Sequence, residues 1–192
     1  MSLVKVSEIL KEADKGGYAV TAFDTFNYET IQWVIQTASE LKTPTIVMIY
    51  PEMTQYIPVD TFVQIVKTLA DKSEYPVGLM LDHGDSYELA MKCLKAGFTS
   101  IMVDFSSFEF EENVRRTREV VKVAHAMDVD VEAELGHVGN AENLEDFADD
   151  SGYTSPELAK RFVELTECDV LAIAFGSAHG NYVREPKLDM ER

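Results

Sequence analysis

One alternation governs what this chain can fold into. Short apolar runs, rich in β-branched residues, recur between longer segments with helical spacing. The runs lie at 18–23, 45–50, 77–81, 100–104, 130–134 and 169–175. Most are apolar on both faces, as buried parallel strands are. The intervening segments 29–41, 59–71, 86–96, 111–127 and 156–165 carry apolar residues three and four positions apart, and 2–15 reads as an opening helix. Asp85 with Glu88 predicts a capping box, and Ser155 with Pro156 predicts a capped helix start.

Strand and helix alternating six times require a parallel sheet with right-handed crossovers. An open doubly wound α/β sheet and most of an eight-stranded α/β barrel both satisfy that pattern. Neither G-x-G-x-x-G after the first run nor a Walker A pattern is present, which favours the barrel. No Gly/Ser/Pro-rich linker interrupts the 192 residues, so residues 1–192 are expected to form one domain.

Charge narrows the partners. The chain has 34 acidic residues against 17 basic ones, a net charge of −17. Such a surface repels phosphodiester backbones and anionic headgroups, so neither nucleic acid nor membrane is an expected partner. An anionic substrate would need local positive charge from a metal or a helix N-terminus. Cys93 and Cys168 form no C-x-x-C pair, which excludes zinc-ribbon and thioredoxin readings and fits a reducing cytoplasm. Lys5 interrupts the apolar start, so no signal peptide is expected, and no stretch reaches the ~20 apolar residues of a membrane span.

Titratable residues collect at the strand ends. Asp24 follows the first run, Asp82-His83-Gly84 the third, Asp104 the fourth and Glu134-Leu135-Gly136-His137 the fifth. The sixth leads through Gly176-Ser177-Ala178 to His179-Gly180. Barrel enzymes place their chemistry on this rim, and an open sheet would use the same edge as its crevice. Imidazole nitrogen beside carboxylate oxygen suits zinc. His125 falls inside a helical segment and reads as a surface or packing residue. His137 suits loop chemistry as well as ligation.

These motifs resemble those of the class II, zinc-dependent fructose- or tagatose-bisphosphate aldolases. The resemblance rests on Leu81-Asp82-His83-Gly84, Val103-Asp104, Glu132-Ala133-Glu134-Leu135-Gly136, and Gly176-Ser177-Ala178-His179-Gly180 followed by Glu185-Pro186-Lys187-Leu188. Lys95-Ala96-Gly97-Phe98-Thr99-Ser100-Ile101 reads like the family's lead into its fourth strand, and the order holds from about Leu3 onward. The resemblance implies a TIM (β/α)8 barrel of which about six βα units are present here. It implies a cytoplasmic homo-oligomer, a dimer or tetramer, cleaving a small phosphorylated ketose to dihydroxyacetone phosphate and an aldehyde. His83 and His179 would be zinc ligands. Asp104 and Glu134 would serve a second metal position or the inactive position of a mobile zinc. Asp82 would be the acid/base at the hydroxyl of the cleaved bond, and Glu142 would move a proton at the carbon beside the ketone. Gly180 would belong to a loop binding phosphate and a monovalent cation, and Asn27 is retained from an asparagine-rich substrate segment. The chemistry fits these residue types: a zinc ion polarises the ketose carbonyl, so no Schiff-base lysine is required, and two carboxylates handle the two protons.

Two departures from the family pattern stand out. Its third zinc histidine lies in a His-Gly-Gly motif beyond the sixth strand, with further strands after it, and none of this is in the sequence. The chain therefore reads as the N-terminal two-thirds of a longer enzyme, with a truncated fragment as the alternative. After the second strand the family usually has a serine among small residues that contacts a phosphate, whereas here stands Tyr50-Pro51-Glu52-Met53. That change favours, as an alternative, a ketose with one phosphate. A non-catalytic aldolase-like subunit would have no need of Asp82, His83, Glu134, Glu142 and His179. A barrel metal-dependent hydrolase would be expected to open with His-x-His after its first strand, which is absent.

Overall fold

The computed structural model describes residues 3–136, 138–139, 141 and 152–192. The six β-branched runs become six strands of one parallel sheet, ordered β1 to β6 as in the sequence. They are β1 (Ala22–Asp24), β2 (Thr45–Ile49), β3 (Val77–Gly84), β4 (Ser100–Val103), β5 (Asp130–Leu135) and β6 (Val170–Ile173). The helices are α1 (Val6–Gly16), α2 (Tyr28–Leu41), α3 (Val59–Ala70), α4 (Tyr87–Ala96), α5 (Phe110–Ala126) and α6 (Pro156–Thr166).

The period of two along each strand builds two cores. Val47, Leu79, Leu81, Ile101, Val103, Val131 and Ala133 point outward and pack under the helices with Phe62, Val66, Leu94 and Val120. Ile46, Met80 and Met102 point inward, where they meet Val6 and Ile9 of α1. The sheet curls, so that Ala22 of β1 and Ala172 of β6 line the same interior space. This is a partial TIM barrel.

Helix α1 closes the bottom of that curl. The Val6 N–H donates to Ser100 Oγ at 2.9 Å and the Ser7 N–H to Asp130 Oδ2 at 3.0 Å, both at strand beginnings. Lys5 pairs with Asp128 below β5. With the N-terminal end plugged, the C-terminal end of the sheet is left as the mouth.

Three elements differ from the sequence expectation. The first strand begins at Ala22 instead of residue 18. The Ile46 N–H donates to Thr21 O at 3.3 Å, and two residues earlier β2 is preceded by Pro44, which has no N–H to carry the ladder further. Helix α4 is capped by Ser86, whose Oγ accepts from the Leu89 N–H at 3.4 Å, because β3 runs on to Gly84 and leaves Asp85 in the connection. After β2 the chain forms a 3-10 helix, Pro51–Gln55, with Pro51 in its first turn. Ser155 caps α6 as expected.

Candidate active site

The rim chemistry starts with an irregularity in β3. Leu81 faces Ile101 and Gly84 faces Val103, so β3 uses one residue more than β4 over the same step. Asp82 and His83 occupy this bulge. A regular strand would send consecutive side chains to opposite faces, whereas here both line the mouth. His83 adopts φ 44°, in the left-handed region, which costs a residue with a Cβ about 1–2 kcal/mol. Gly84 makes the turn possible, since a Cβ there would lie 2.8 Å from the Met102 carbonyl oxygen and 2.7 Å from Leu81.

Three strands bring their end residues together around His83. Its Nδ1 lies 3.1 Å from Asp104 Oδ2 and 3.7 Å from Glu134 Oε2, while its Nε2 is 4.0 Å from Asp82 Oδ1. One ligand atom each from His83, Asp104 and Glu134 falls within 4.8 Å of the others. Ser106 orients both carboxylates: its N–H donates to Asp104 Oδ1 at 2.9 Å and its Oγ to Glu134 Oε1 at 3.2 Å. From α5, Asn113 Nδ2 donates to the Glu134 carbonyl at 3.0 Å.

His179 reaches the same place from the segment after β6. Its ring centroid is 5.1 Å from that of His83, at an interplanar angle of 77°. Its backbone is clamped on both sides, with its N–H donating to Gly139 O at 2.9 Å and its carbonyl accepting from the Ala141 N–H at 2.7 Å. Tyr50 stands on the other side of His83, edge-on, with centroids 6.4 Å apart. Together with Asp24 and Asp85 these groups enclose a cavity of about 580 Å³.

The electrostatics are those of an acidic cup around an imidazole. The Asp104 hydrogen bond, with the charges of Asp82 and Glu134, holds His83 up at about 9 against the opposing effect of burial. Burial pushes Asp104 upward, but hydrogen bonds from His83 and Ser106 prevail and hold it at about 2. Burial, then the neighbouring Asp82 carboxylate, raise Asp24 to about 6. Glu132, facing the barrel interior below Glu134, is pushed up to about 7 by burial and then by the Asp82 charge. The lining contains five carboxylates and no Lys or Arg among the described residues. Imidazole nitrogen with carboxylate oxygen, and an excess of negative charge, is a donor set that fits a divalent cation such as zinc.

The structure therefore gathers Asp82, His83, Asp104, Glu134 and His179 at one mouth. Asn27 is not among the residues lining the cavity: its side chain caps α2, with Oδ1 accepting from the Thr30 N–H at 2.9 Å. Gly180 follows His179 in left-handed backbone, φ 83°. Glu142 and His137 lie outside the described residues. His125, at the last turn of α5, pairs with Asp169 at 2.8 Å on the far side of the sheet from the mouth. Sequence reasoning missed Ser106; its only signal was a hydroxyl two residues past Asp104.

The pattern of the family described as Fructose-bisphosphate aldolase class-II matches residues 4–192. Among solved structures, the YdjI aldolase from Escherichia coli K12 is 35% identical with a TM-score of 0.87, over 98% of this chain and 66% of that one. A Coccidioides immitis protein solved as a candidate fructose-1,6-biphosphate aldolase is 33% identical, TM-score 0.87, over 98% of this chain and 67% of that one. A fructose-bisphosphate aldolase from Campylobacter jejuni, 23% identical with a TM-score of 0.81, shares the fold over 99% of this chain and 63% of its own. The chain thus spans about two thirds of these relatives, and it belongs to the class II fructose-bisphosphate aldolase family.

Proposed function

We propose that the protein is a zinc-dependent aldolase that reversibly cleaves a ketose phosphate into dihydroxyacetone phosphate and an aldehyde. The observation that carries this reading is the pairing of the His83 and His179 rings, 5.1 Å apart, at the rim that also presents Asp82, Asp104 and Glu134. His83 and His179 would hold the ion, with Asp104 and Glu134 offering a neighbouring position. When bound there, zinc supplies Lewis-acid polarisation of the ketose carbonyl.

The chain's own residues then have separate tasks. Asp82 takes the proton from the hydroxyl on the carbon that becomes the aldehyde. As the carbon–carbon bond breaks, that oxygen becomes the aldehyde carbonyl, and the bonding pair stays on the carbon beside the ketone. Glu142 returns a proton to that carbon and removes it in the condensation direction. Ser106 keeps Asp104 and Glu134 aimed at the cavity. Gly180 and Asn27 are assigned to substrate binding from their register in the family motifs.

The test is the release of dihydroxyacetone phosphate from ketose phosphates. Release that stops with a chelator, returns with zinc and survives borohydride in the presence of substrate supports the reading. Inactivation by borohydride with covalent attachment of substrate would replace it with Schiff-base chemistry.

A further inference from the structure

We propose that the aldehyde half of the substrate is uncharged and hydroxylated, and that Tyr50, Glu52 and Asp85 select it by disfavouring a second phosphate at that end. This rests on the aldolase reading above and narrows its substrate class.

Strand order divides the mouth into two sides. Asp104, Glu134 and His179 come from β4, β5 and the segment after β6. Asp24, Tyr50, Asp82 and Asp85 come from the ends of β1, β2 and β3. Asp82, assigned to the hydroxyl on the future aldehyde carbon, stands on β3. The aldehyde half therefore lies against the β1–β3 side, beside His83 of β3 and across from Asp104, Glu134 and His179.

That side is built for hydroxyls and against anions. Asp24 and Asp85 present carboxylates to the cavity, and Glu52, outside its lining, adds negative charge beside Tyr50 from the first turn of the 3-10 helix. Carboxylates accept hydrogen bonds from hydroxyl groups and repel phosphate. The Tyr50 ring, edge-on to His83, offers an apolar wall for sugar C–H groups, and its hydroxyl can donate to or accept from a sugar hydroxyl. No Lys or Arg lines the cavity among the described residues, so no cationic side chain described there offsets a phosphate dianion. A terminal phosphate at this wall is disfavoured by about tenfold or more in affinity.

The experiment uses two non-cleavable probes, hexitol 1-phosphate and hexitol 1,6-bisphosphate, titrated calorimetrically into the zinc-loaded protein. Kinetics on the corresponding ketoses run in parallel. Hexitol 1-phosphate is expected to bind at least as tightly as the bisphosphate, and the ketose 1-phosphate to have the higher kcat/KM. The variant Glu52→Gln/Asp85→Asn should shift the affinity ratio about tenfold toward the bisphosphate. Tyr50→Ser should weaken hexitol 1-phosphate without the same shift. Tenfold tighter binding of the bisphosphate by the unaltered protein overturns the inference and leaves the aldolase reading standing. Binding of hexitol 1-phosphate without cleavage of either ketose sinks the aldolase reading instead, and failure to bind either probe overturns both.

Discussion

The imidazole of His83 on β3 lies 3.1 Å from the carboxylate of Asp104, the residue that follows β4. This contact couples the backbone irregularity of β3 to the charge of the mouth. The bulge turns His83 into left-handed backbone and toward Asp104, and the acids around it hold a proton where a cation can bind.

That proton makes metal binding pH-dependent. His83 keeps it to about pH 9 in the metal-free protein, and zinc requires the neutral ring. Apparent zinc affinity is expected to rise by about tenfold per pH unit between about pH 6 and 8, read by competition with a chromophoric chelator. A flat profile would contradict His83 as a ligand. Stability follows the same linkage. The folded value of His83 is raised above its ordinary 6.5, so its contribution is complete below that pH and is lost as pH rises through about 9. Asp104 is lowered from 3.8, so its contribution is present above that pH and fades as pH falls through about 2. The metal-free denaturation midpoint should therefore fall at both ends.

Ser106 touches both Asp104 and Glu134 and is expected to tune the centre without ligating it. Ser106→Ala should weaken zinc binding by about 10–100-fold, as loss of a ligand's hydrogen-bonding partner does. Unchanged zinc affinity would show that the two carboxylates need no such support.

Gly84 should be hard to replace. Gly84→Ala pushes a Cβ to within 2.8 Å of the Met102 carbonyl oxygen, which is backbone and cannot step aside. A loss of about 1–3 kcal/mol in unfolding free energy is expected, together with weaker zinc binding as Asp82 and His83 are re-aimed. Destabilisation with normal zinc affinity would separate the bulge from the site.

Asp82 and Glu142 are assigned to different protons. Asp82→Ala should abolish cleavage while leaving solvent exchange of the dihydroxyacetone phosphate proton largely intact. Glu142→Ala should suppress that exchange by about 10²–10⁴-fold. Wild-type exchange in Glu142→Ala would assign the base to another group.

The sequence made the barrel class legible because strand runs and helical spacing repeat six times, and because polar residues recur at strand ends. It placed Asp82, His83, Asp104, Glu134 and His179 on one rim, where the structure has them. It could not show the bulge, since Leu-Asp-His-Gly reads equally well as a plain strand end. Nor could it show that His83 and Asp104, 21 residues apart, are hydrogen-bonded, because that depends on the shifted register between β3 and β4. Tyr50 was legible only as a departure from the family pattern. Its position edge-on to His83 comes from the turn of the chain into the 3-10 helix at Pro51. The helix-capping role of the Asn27 side chain was not legible in the motif, since it depends on where α2 begins.

Zinc content, measured by metal analysis after exhaustive dialysis, tests the metal centre most directly. About one zinc per chain is expected in the unaltered protein and less than about a tenth of that in His83→Ala/His179→Ala. Equal zinc in the two proteins, with the double variant still folded, would contradict it.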